Sequence, residues 1–293
     1  MIAVVLEGGL GNQMFQYAAG RSVAAARGVG LLLSVGELQS TRRGRTPRAY
    51  ELGGYRISAA LCSPAQEREL ALARRLRALS GLMTRWQVLA ERGPKFDARL
   101  FKAPSGSVLR GYWQSPRYFG HDAPLLAAEL TLVEPLPSAH RAWAEQMASP
   151  HSVAVHIRRG DYVASASAAR FHGALPLDYY QRAIDSIRRF EAAPVCYVFT
   201  DDPAWCRANL VLPGCEVHHV SATLASTGPL DLALMRCCRH YVIANSSFSW
   251  WGAWLGGVDA AGAGRVVAPR LWFAGDVRST HLAERFPPHW ELI

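Results

Sequence analysis

The sequence predicts an α/β protein with parallel sheets, and three observations support that class. Short apolar runs alternate along the chain with segments of helical periodicity. Most of these runs are continuously apolar, as expected of strands that are buried on both faces. Each run ends in glycine or in a cluster of polar residues, which marks a strand that leads into a loop. With 293 residues the chain has room for two domains of ordinary size.

The first half opens as strand, glycine loop, helix and strand. Residues 2–6 predict a buried strand, residues 8–13 a tight turn, residues 14–27 a helix and residues 29–35 the next strand. Residues 65–92 have helical periodicity, with arginines mostly off an apolar stripe. The stripe consists of Leu70, Leu72, Leu76, Leu79 and Leu82. The arginines of this segment are interpreted either as a solvated helix face or as a binding patch.

The second half repeats the order of strand followed by helix. Strands are predicted at 152–157, 195–199, 241–244 and 265–268, and helices at 177–190, 231–238 and 248–255. Asp178 is the predicted N-cap of the helix at 177–190. The segment 135–150 contains three prolines and marks the expected boundary between two domains, 1–150 and 151–293.

The chain is basic, with a formal net charge of +9, and nearly all of its cations are arginines. Only Lys95 and Lys102 are lysines among the 32 basic residues. A genome rich in arginine codons is one explanation of the excess of arginine. Attraction to an acidic partner, such as a diphosphate, an anionic membrane or a nucleic acid, is an equally good one. The arginines are dispersed and no nucleic-acid-binding motif is present, so we expect no nucleic-acid partner.

Cysteine usage and hydropathy predict a cytoplasmic protein. The six cysteines include no Cys-x-x-Cys pair and no zinc-ligand spacing, which indicates reduced thiols. We find no signal peptide and no apolar stretch of about 18 residues that would span a bilayer. Peripheral contact with an anionic inner membrane is an additional expectation from the positive charge.

Polar residues follow three predicted strands of the second half, where open parallel sheets bind their ligands. Arg158 and Arg159 follow the first of these strands, and a guanidinium presents paired donors that fit phosphate oxygens. Side chains alternate in direction near a strand end, so we expect only one arginine, Arg158, to face the ligand. The alternative for both is a surface salt bridge with Asp161.

Ser246 and Ser247 precede the last predicted helix, whose N-terminal N–H groups favour an anion. Plain N-capping is compatible with that role. The dense tryptophans that follow, Trp250, Trp251 and Trp254, are interpreted as core, although one ring stacked on a base or sugar is the alternative.

Two further motifs give weaker signals. The loop containing Gly9, Gly11, Asn12 and Gln13 lacks the full spacing of a dinucleotide fingerprint, but it allows close backbone approach to a ligand. The adjacent pair Asp201 and Asp202 is not the spaced aspartate pair that holds a cation in metal-dependent sugar transferases. We interpret Asp202 as a helix cap and expect no required metal.

Taken together, these motifs resemble the α1,2-fucosyltransferases of glycosyltransferase family 11. Four blocks carry the resemblance: GGLGNQMFQYAAGR at 8–21, GYWQSPRYF at 111–119, VHIRRGDYV at 155–163 and IANSSFSWWGAWL at 243–255. The resemblance implies a GT-B fold, in which two Rossmann-like domains face a central cleft. It also implies inverting transfer of L-fucose from GDP-β-L-fucose to the 2-hydroxyl of a galactose in a glycan, without metal or cofactor. The acceptor would enter from the first domain and the donor would bind the second.

Residue roles also follow from the resemblance. On the donor side, Arg158 matches the arginine that grips the diphosphate, and His156 and Asp231 match residues that read the guanine. Ser246 and Ser247 match serines on the phosphate side.

On the acceptor side, Asn12 corresponds to an asparagine near the reacting sugar, in a loop whose Gly9 and Gly11 approach the donor. Gln13 and Trp113 are assigned to the acceptor. Asp161 is the nearest carboxylate to the arginine motif and the candidate base, with orientation of the arginines as its alternative role. Loss of Arg158 is expected to harm activity more than loss of Asp161.

The sequence leaves rival functions open. One is a transferase of the same fold that uses another GDP-sugar or forms another linkage. Another is a non-catalytic module that binds a nucleotide or sugar. In a bacterial setting the expected galactose-containing acceptor is a lipid-linked antigen repeat.

Overall fold

The computed structural model describes residues 1–41, 46–76, 79–160, 163, 173–259, 264–274 and 284–293. These residues form two compact units, Met1–Val133 and Glu134–Ile293. Each unit contains a parallel sheet with helices packed against it. The predicted α/β class is confirmed, and each unit has the parallel sheet that the GT-B fold requires of its two domains.

The first unit has five described strands. They are β1 Ile2–Val5, β2 Leu31–Ser34, β3 Ala60–Leu61, β4 Gln87–Ala90 and β5 Ser107–Arg110. Its described α-helices are α1 Leu10–Ala26, α2 Pro64–Leu76, α3 Ser80–Met83 and α4 Ala123–Glu129. Short 3₁₀ helices lie at Leu52–Gly54, Ala98–Lys102, Pro116–Tyr118 and Gly120–Asp122. The strand order is β3-β2-β1-β5-β4.

Helix α1 packs closely on the central strand β1. Gly20 makes this approach possible, because a Cβ at that position would lie 2.2 Å from the Val4 side chain. The helix begins at Leu10, four residues before the predicted start at 14, with Gly9 as its N-cap. Residues 10–13 of the predicted turn therefore belong to the helix, and only Gly8 and Gly9 precede it.

The prediction of one helix over 65–92 is wrong. Helix α2 ends at Leu76, α3 is a single turn, and Gln87–Ala90 forms strand β4 paired with β5. Of the predicted apolar stripe, only Leu70 is fully buried, whereas Leu72 and Leu82 are exposed. Pairing with a neighbouring strand outweighs the weak helical preference of this segment.

The second unit has six described strands. They are β6 Ser152–Ile157, β7 Val195–Thr200, β8 Glu216–His219, β9 His240–Val242, β10 Val266–Ala268 and β11 Glu291–Leu292. Its described helices are α5 Ser138–Met147, α6 Leu177–Arg188, α7 Pro203–Asn209, α8 Val220–Thr223, α9 Gly228–Met235 and α10 Ser247–Asp259. The strand order is β11-β10-β9-β6-β7-β8.

The core of the second unit lies between its sheet and α6. Tyr180, Ile184 and Ile187 of that helix are buried against Val153 and Val198 of the sheet. Their spacing is the apolar stripe that the sequence predicts. The predicted cap is displaced, because Pro176 occupies the N-cap position and Asp178 lies in the first turn.

Helix α5 packs within the second unit, although the predicted domain boundary at 150 assigns it to the first. The Trp143 ring meets the Tyr197 ring edge to face at 6.1 Å. The Tyr197 hydroxyl donates to the Gln146 carbonyl at 3.3 Å. These contacts explain why the compact units divide after Val133.

All six cysteines are free thiols in the structure. None of the described helices has the length and hydropathy that crossing a bilayer requires.

Candidate active site

The carboxyl edge of the second unit's sheet collects the three polar clusters that the sequence singles out. Strand β6 lies between β7 and β9, in parallel with both. The residues that follow these strands therefore start from the same edge of the sheet. This strand order brings the arginine pair after β6, the aspartate pair after β7 and the serines at the start of α10 into one neighbourhood.

Asp201 ties the end of β6 to the end of β7. Its carboxylate lies 3.1 Å from Nε of Arg158 and accepts from the backbone N–H of Arg159 at 2.8 Å. Both side chains of the ion pair are about a quarter exposed. Gly160 completes the turn, since a Cβ there would lie 2.9 Å from the Asp201 carboxylate. The loop thus presents Arg158 partly to solvent and fixes its direction.

Arg159 is engaged with helix α7. Its guanidinium lies over the Trp205 ring, 4.0 Å from the centroid, and Nε is 3.5 Å from the Asp202 carboxylate. Asp202 is the N-cap of α7 and accepts from the Trp205 N–H at 3.2 Å. This arrangement holds Arg159 between an aromatic ring and a carboxylate, and it confirms the capping role of Asp202.

Asp161, the candidate base, lies outside the described residues.

His156, the next-to-last residue of β6, is 5% exposed. Its Nδ1 atom is buried and has no hydrogen-bond partner among the described residues, and its ring centroid is 5.5 Å from that of Phe248. Burial lowers the pKa of His156 to about 3, and the nearby Arg158 charge adds to the effect. The imidazole is therefore neutral near pH 7, and its buried Nδ1 atom has unused hydrogen-bonding capacity.

The N-terminus of helix α10 lies at this edge and has no carboxylate in its first turn. Ser246 Oγ accepts from the Phe248 N–H at 3.3 Å, which is the capping interaction that the sequence predicts. Ser246 and Ser247 are half-buried, and the first turn of α10 contains no acidic residue. The positive end of this helix is accordingly not neutralised by a carboxylate of its own first turn. The core interpretation of the tryptophans is confirmed, because Trp250, Trp251 and Trp254 are all buried.

Asp231 lies in the first turn of α9 with a buried carboxylate. Its Oδ1 atom has no hydrogen-bond partner among the described residues, while the Ser226 hydroxyl bonds to the carboxylate. Burial raises the pKa of Asp231, partly offset by that hydrogen bond and by His140. A half-satisfied buried carboxylate is a strong acceptor for two adjacent N–H donors.

His140 extends this arrangement, and sequence reasoning missed it. The side chain is buried on α5, with Nε2 3.3 Å from Ser226 Oγ. The sequence offers no signal for it, because a lone histidine in a proline-containing segment has no pattern. Only the packing of α5 against α9 places it beside Asp231.

In the first unit, Asn12 is near the start of α1 and half-buried. Its Oδ1 accepts from the Gln114 amide at 2.7 Å. Gly8, with φ of 81°, provides the left-handed turn before the helix, and Gly9 leaves open space where a side chain would stand. Gly11 is buried inside the first turn of α1. Asn12 and Gly9 therefore remain accessible within this unit.

Gln13 and Trp113, assigned to the acceptor from sequence, are fully buried. The Gln13 amide donates to the carbonyls of Gly8 and Ala49 and accepts from the Glu51 N–H. The Trp113 ring packs edge to face on Tyr118 at 5.5 Å. This burial favours structural roles for both residues over contact with an acceptor.

The N-terminus of α1 differs from that of α10, because an acid occupies it. The Glu51 carboxylate accepts from the Leu10 N–H. Burial raises the pKa of Glu51, and this hydrogen bond partly offsets the rise. A carboxylate at the positive end of α1 competes with any bound phosphate, so the second unit is the better diphosphate site.

The chain matches the family model described as "Glycosyl transferase family 11" over residues 93–291. It belongs to glycosyltransferase family 11. The matched range contains Arg158, Asp231 and Ser246, so the family assignment covers the whole donor-side cluster.

Curated relatives of this family 11 chain include two bacterial enzymes of similar length. It is 30% identical to the O-antigen biosynthesis glycosyltransferase WbnK of Escherichia coli, over 94% of this chain and 95% of that protein. It is 32% identical to an alpha-1,2-colitosyltransferase of Escherichia coli, over 93% and 92%. A mouse galactoside 2-alpha-L-fucosyltransferase, Sec1, is 29% identical over 56% of this chain and 46% of that protein. The chain is therefore a glycosyltransferase.

Proposed function

We propose that this glycosyltransferase moves L-fucose from GDP-β-L-fucose to the 2-hydroxyl of a galactose in a glycan, with inversion and without a metal ion. The sequence motifs resemble those of α1,2-fucosyltransferases, and relatives named for α-1,2 transfer of colitose and for 2-α-L-fucosyl transfer support this choice. A relative named for O-antigen biosynthesis supports a bacterial polysaccharide precursor, carried on a lipid, as the acceptor.

One observation carries the donor side of the proposal. Arg158, held by Asp201 at the end of β6, shares a sheet edge with the N-terminus of α10, which has a neutral serine cap. A guanidinium and helix N–H groups both bind phosphate oxygens and stabilise the negative charge of a departing diphosphate. Fixed positive charge of this kind supplies what a divalent cation supplies in metal-dependent transferases.

The guanine is assigned to the buried polar atoms of the same unit. Asp231 Oδ1 is a carboxylate acceptor for the N1–H and 2-amino donors of guanine. His156 offers a neutral imidazole nitrogen to the nucleotide. Asp231 Oδ1 and His156 Nδ1 make no described hydrogen bond, so neither atom has to lose one when the nucleotide binds.

The reaction follows from these roles. The galactose 2-hydroxyl attacks the fucose anomeric carbon as the bond from that carbon to the GDP β-phosphate oxygen breaks. The hydroxyl proton passes to a base, for which Asp161 is the candidate, and GDP leaves with the bonding electron pair. Arg158 and the amides at Ser246 and Ser247 bind the diphosphate as its charge develops, and Asn12 orients the sugars.

The alternative favoured by a specific comparison is colitosyl transfer. Colitose is fucose without its 3-hydroxyl, and the 32% identical relative is named for it. Incubation with GDP-fucose, GDP-colitose and GDP-mannose, each with β-galactosides, separates these donors. We expect the highest kcat/KM with GDP-fucose, and NMR of the product to show an α1,2 linkage.

Two further experiments test the metal-free claim and the claim that the protein is catalytic. Full activity in the presence of a chelator is expected, and loss of activity that added Mg²⁺ or Mn²⁺ restores would overturn the metal-free claim. Binding of GDP without release of GDP from any sugar donor would instead indicate a non-catalytic module.

A further inference from the structure

Large apolar side chains are exposed together on the first unit, near the turn that joins α2 to β4. Leu72 is 50% exposed, Leu79 55%, Leu82 85% and Met83 65%. We call the described residues of this surface, 72–76 and 79–83, the α2–α3 tip. Clusters of exposed apolar side chains on soluble proteins usually mark an interaction site.

The tip is held firmly to the body of its unit. Ser80 is buried, its hydroxyl accepts from the Val88 N–H of β4 at 3.2 Å, and its carbonyl accepts from the Thr84 N–H at 2.8 Å. Trp86 and Leu70 anchor both flanks in the core. The exposed side chains are therefore presented by a fixed backbone.

Exposed arginines lie on α2, the helix that carries one side of the tip. The three glutamates of residues 64–92, namely Glu67, Glu69 and Glu91, all make hydrogen bonds within their own unit. Arg68 and Arg75 are exposed on α2. An apolar surface bordered by arginines is the arrangement that suits the interface of a membrane with anionic lipids.

We propose that the α2–α3 tip is a membrane-binding surface. Leu79, Leu82 and Met83 enter the headgroup region of the bilayer, and Arg68 and Arg75 bind lipid phosphates. A protein partner would match the apolar part equally well. The bordering arginines and the net charge of +9 favour an anionic lipid surface. This inference does not depend on the identity of the transferred sugar.

Vesicle sedimentation with the full chain tests the proposal. We expect the wild type to bind vesicles of phosphatidylcholine and phosphatidylglycerol at low salt, and to bind pure phosphatidylcholine vesicles more weakly. The double variant Leu82→Ser/Met83→Ser should bind the mixed vesicles at least roughly tenfold more weakly. The double variant Arg68→Gln/Arg75→Gln should lose most of the difference between the two kinds of vesicle.

The matched control is Val133→Ser/Val211→Ser, which removes two exposed apolar side chains outside the tip. Its vesicle binding should equal that of the wild type. All variants should keep the far-UV circular dichroism of the wild type and its turnover with a soluble acceptor, which separates this inference from the proposed function. Absence of wild-type binding, or equal binding by the tip variant, would overturn the proposal. Self-association that the tip substitutions abolish, without vesicle binding, would identify a protein interface instead.

Discussion

Asp201 fixes the position of Arg158, with 3.1 Å between the carboxylate and Nε of the guanidinium. The same carboxylate binds the backbone of the following residue, so one side chain controls both the loop and the guanidinium that it carries. Such support from a neighbouring group keeps a charged side chain oriented before its ligand arrives.

Replacing Arg158 with Ala should lower kcat/KM for the donor by roughly 10²–10³, because in the proposed site the departing diphosphate then lacks its main cation. Release of GDP from the sugar donor measures this. Arg159→Ala is the matched control and should cost less than tenfold, since that guanidinium is bound to Trp205 and Asp202. Arg158→Ala is also expected to be more damaging than Asp161→Ala. Near-normal turnover in Arg158→Ala would remove the assignment.

Asp201→Asn and Asp202→Ala should separate a positioning role from a capping role. Asp201→Asn keeps the side-chain shape but loses the charge that holds Arg158, so KM for the donor should rise about tenfold with little change in unfolding free energy. Asp202→Ala removes the N-cap of α7 and its ion pair with Arg159, so it should lower the free energy of unfolding by about 0.5–2 kcal/mol and leave donor KM unchanged. Steady-state kinetics and urea denaturation distinguish them, and equal donor KM in the two variants would contradict the positioning role.

Asp231→Asn should weaken GDP binding by roughly 10–100-fold, because the proposed charge-assisted hydrogen bond to guanine is lost. Inosine diphosphate (IDP) lacks the 2-amino group of guanine, so Asp231→Asn should change the affinity for IDP less than the affinity for GDP. The raised pKa of Asp231 adds a pH signature. As the pH falls through that pKa, the carboxylate is protonated and wild-type GDP affinity should fall, whereas the variant should lack this dependence. Calorimetric titrations of both nucleotides at several pH values test this, and identical pH profiles would refute the assignment.

Gln13→Ala should reduce stability, whereas Asn12→Ala should reduce activity. Gln13 is buried with three hydrogen bonds, so its loss should reduce the free energy of unfolding by about 1–3 kcal/mol. Asn12 is half-buried and makes one described side-chain hydrogen bond, so Asn12→Ala should leave stability nearly unchanged and lower kcat. Urea denaturation and initial rates measure the pair. A stable, inactive Gln13→Ala protein would restore the acceptor role that its burial argues against.

Local patterns predicted four of the six described strands of the second unit, because those four are mostly apolar runs with clear ends. Strands β8 and β11 were not predicted, because β8 alternates apolar with charged and polar residues and β11 has only two residues. Strand β6 has the predicted bounds, and the polar residues that follow β6, β7 and β9 were found from sequence alone. The segment 65–92 was misread because its helical periodicity continues past the end of α2. The exposed leucines on that segment do not face a core, so their spacing was no guide to burial.

The sequence by itself determined the α/β class, the strand-end arginine and serines, and the motif blocks that place the chain in its family. Those features are local, since each depends on residues close together in the chain. Only the tertiary structure decided which groups hold them: Asp201 beside Arg158, and Ser226 and His140 beside Asp231. It also showed that Gln13 is buried and that the Glu51 carboxylate binds the N-terminus of α1. These contacts join residues distant in sequence, and only the packing of strands and helices fixes their distances and burial.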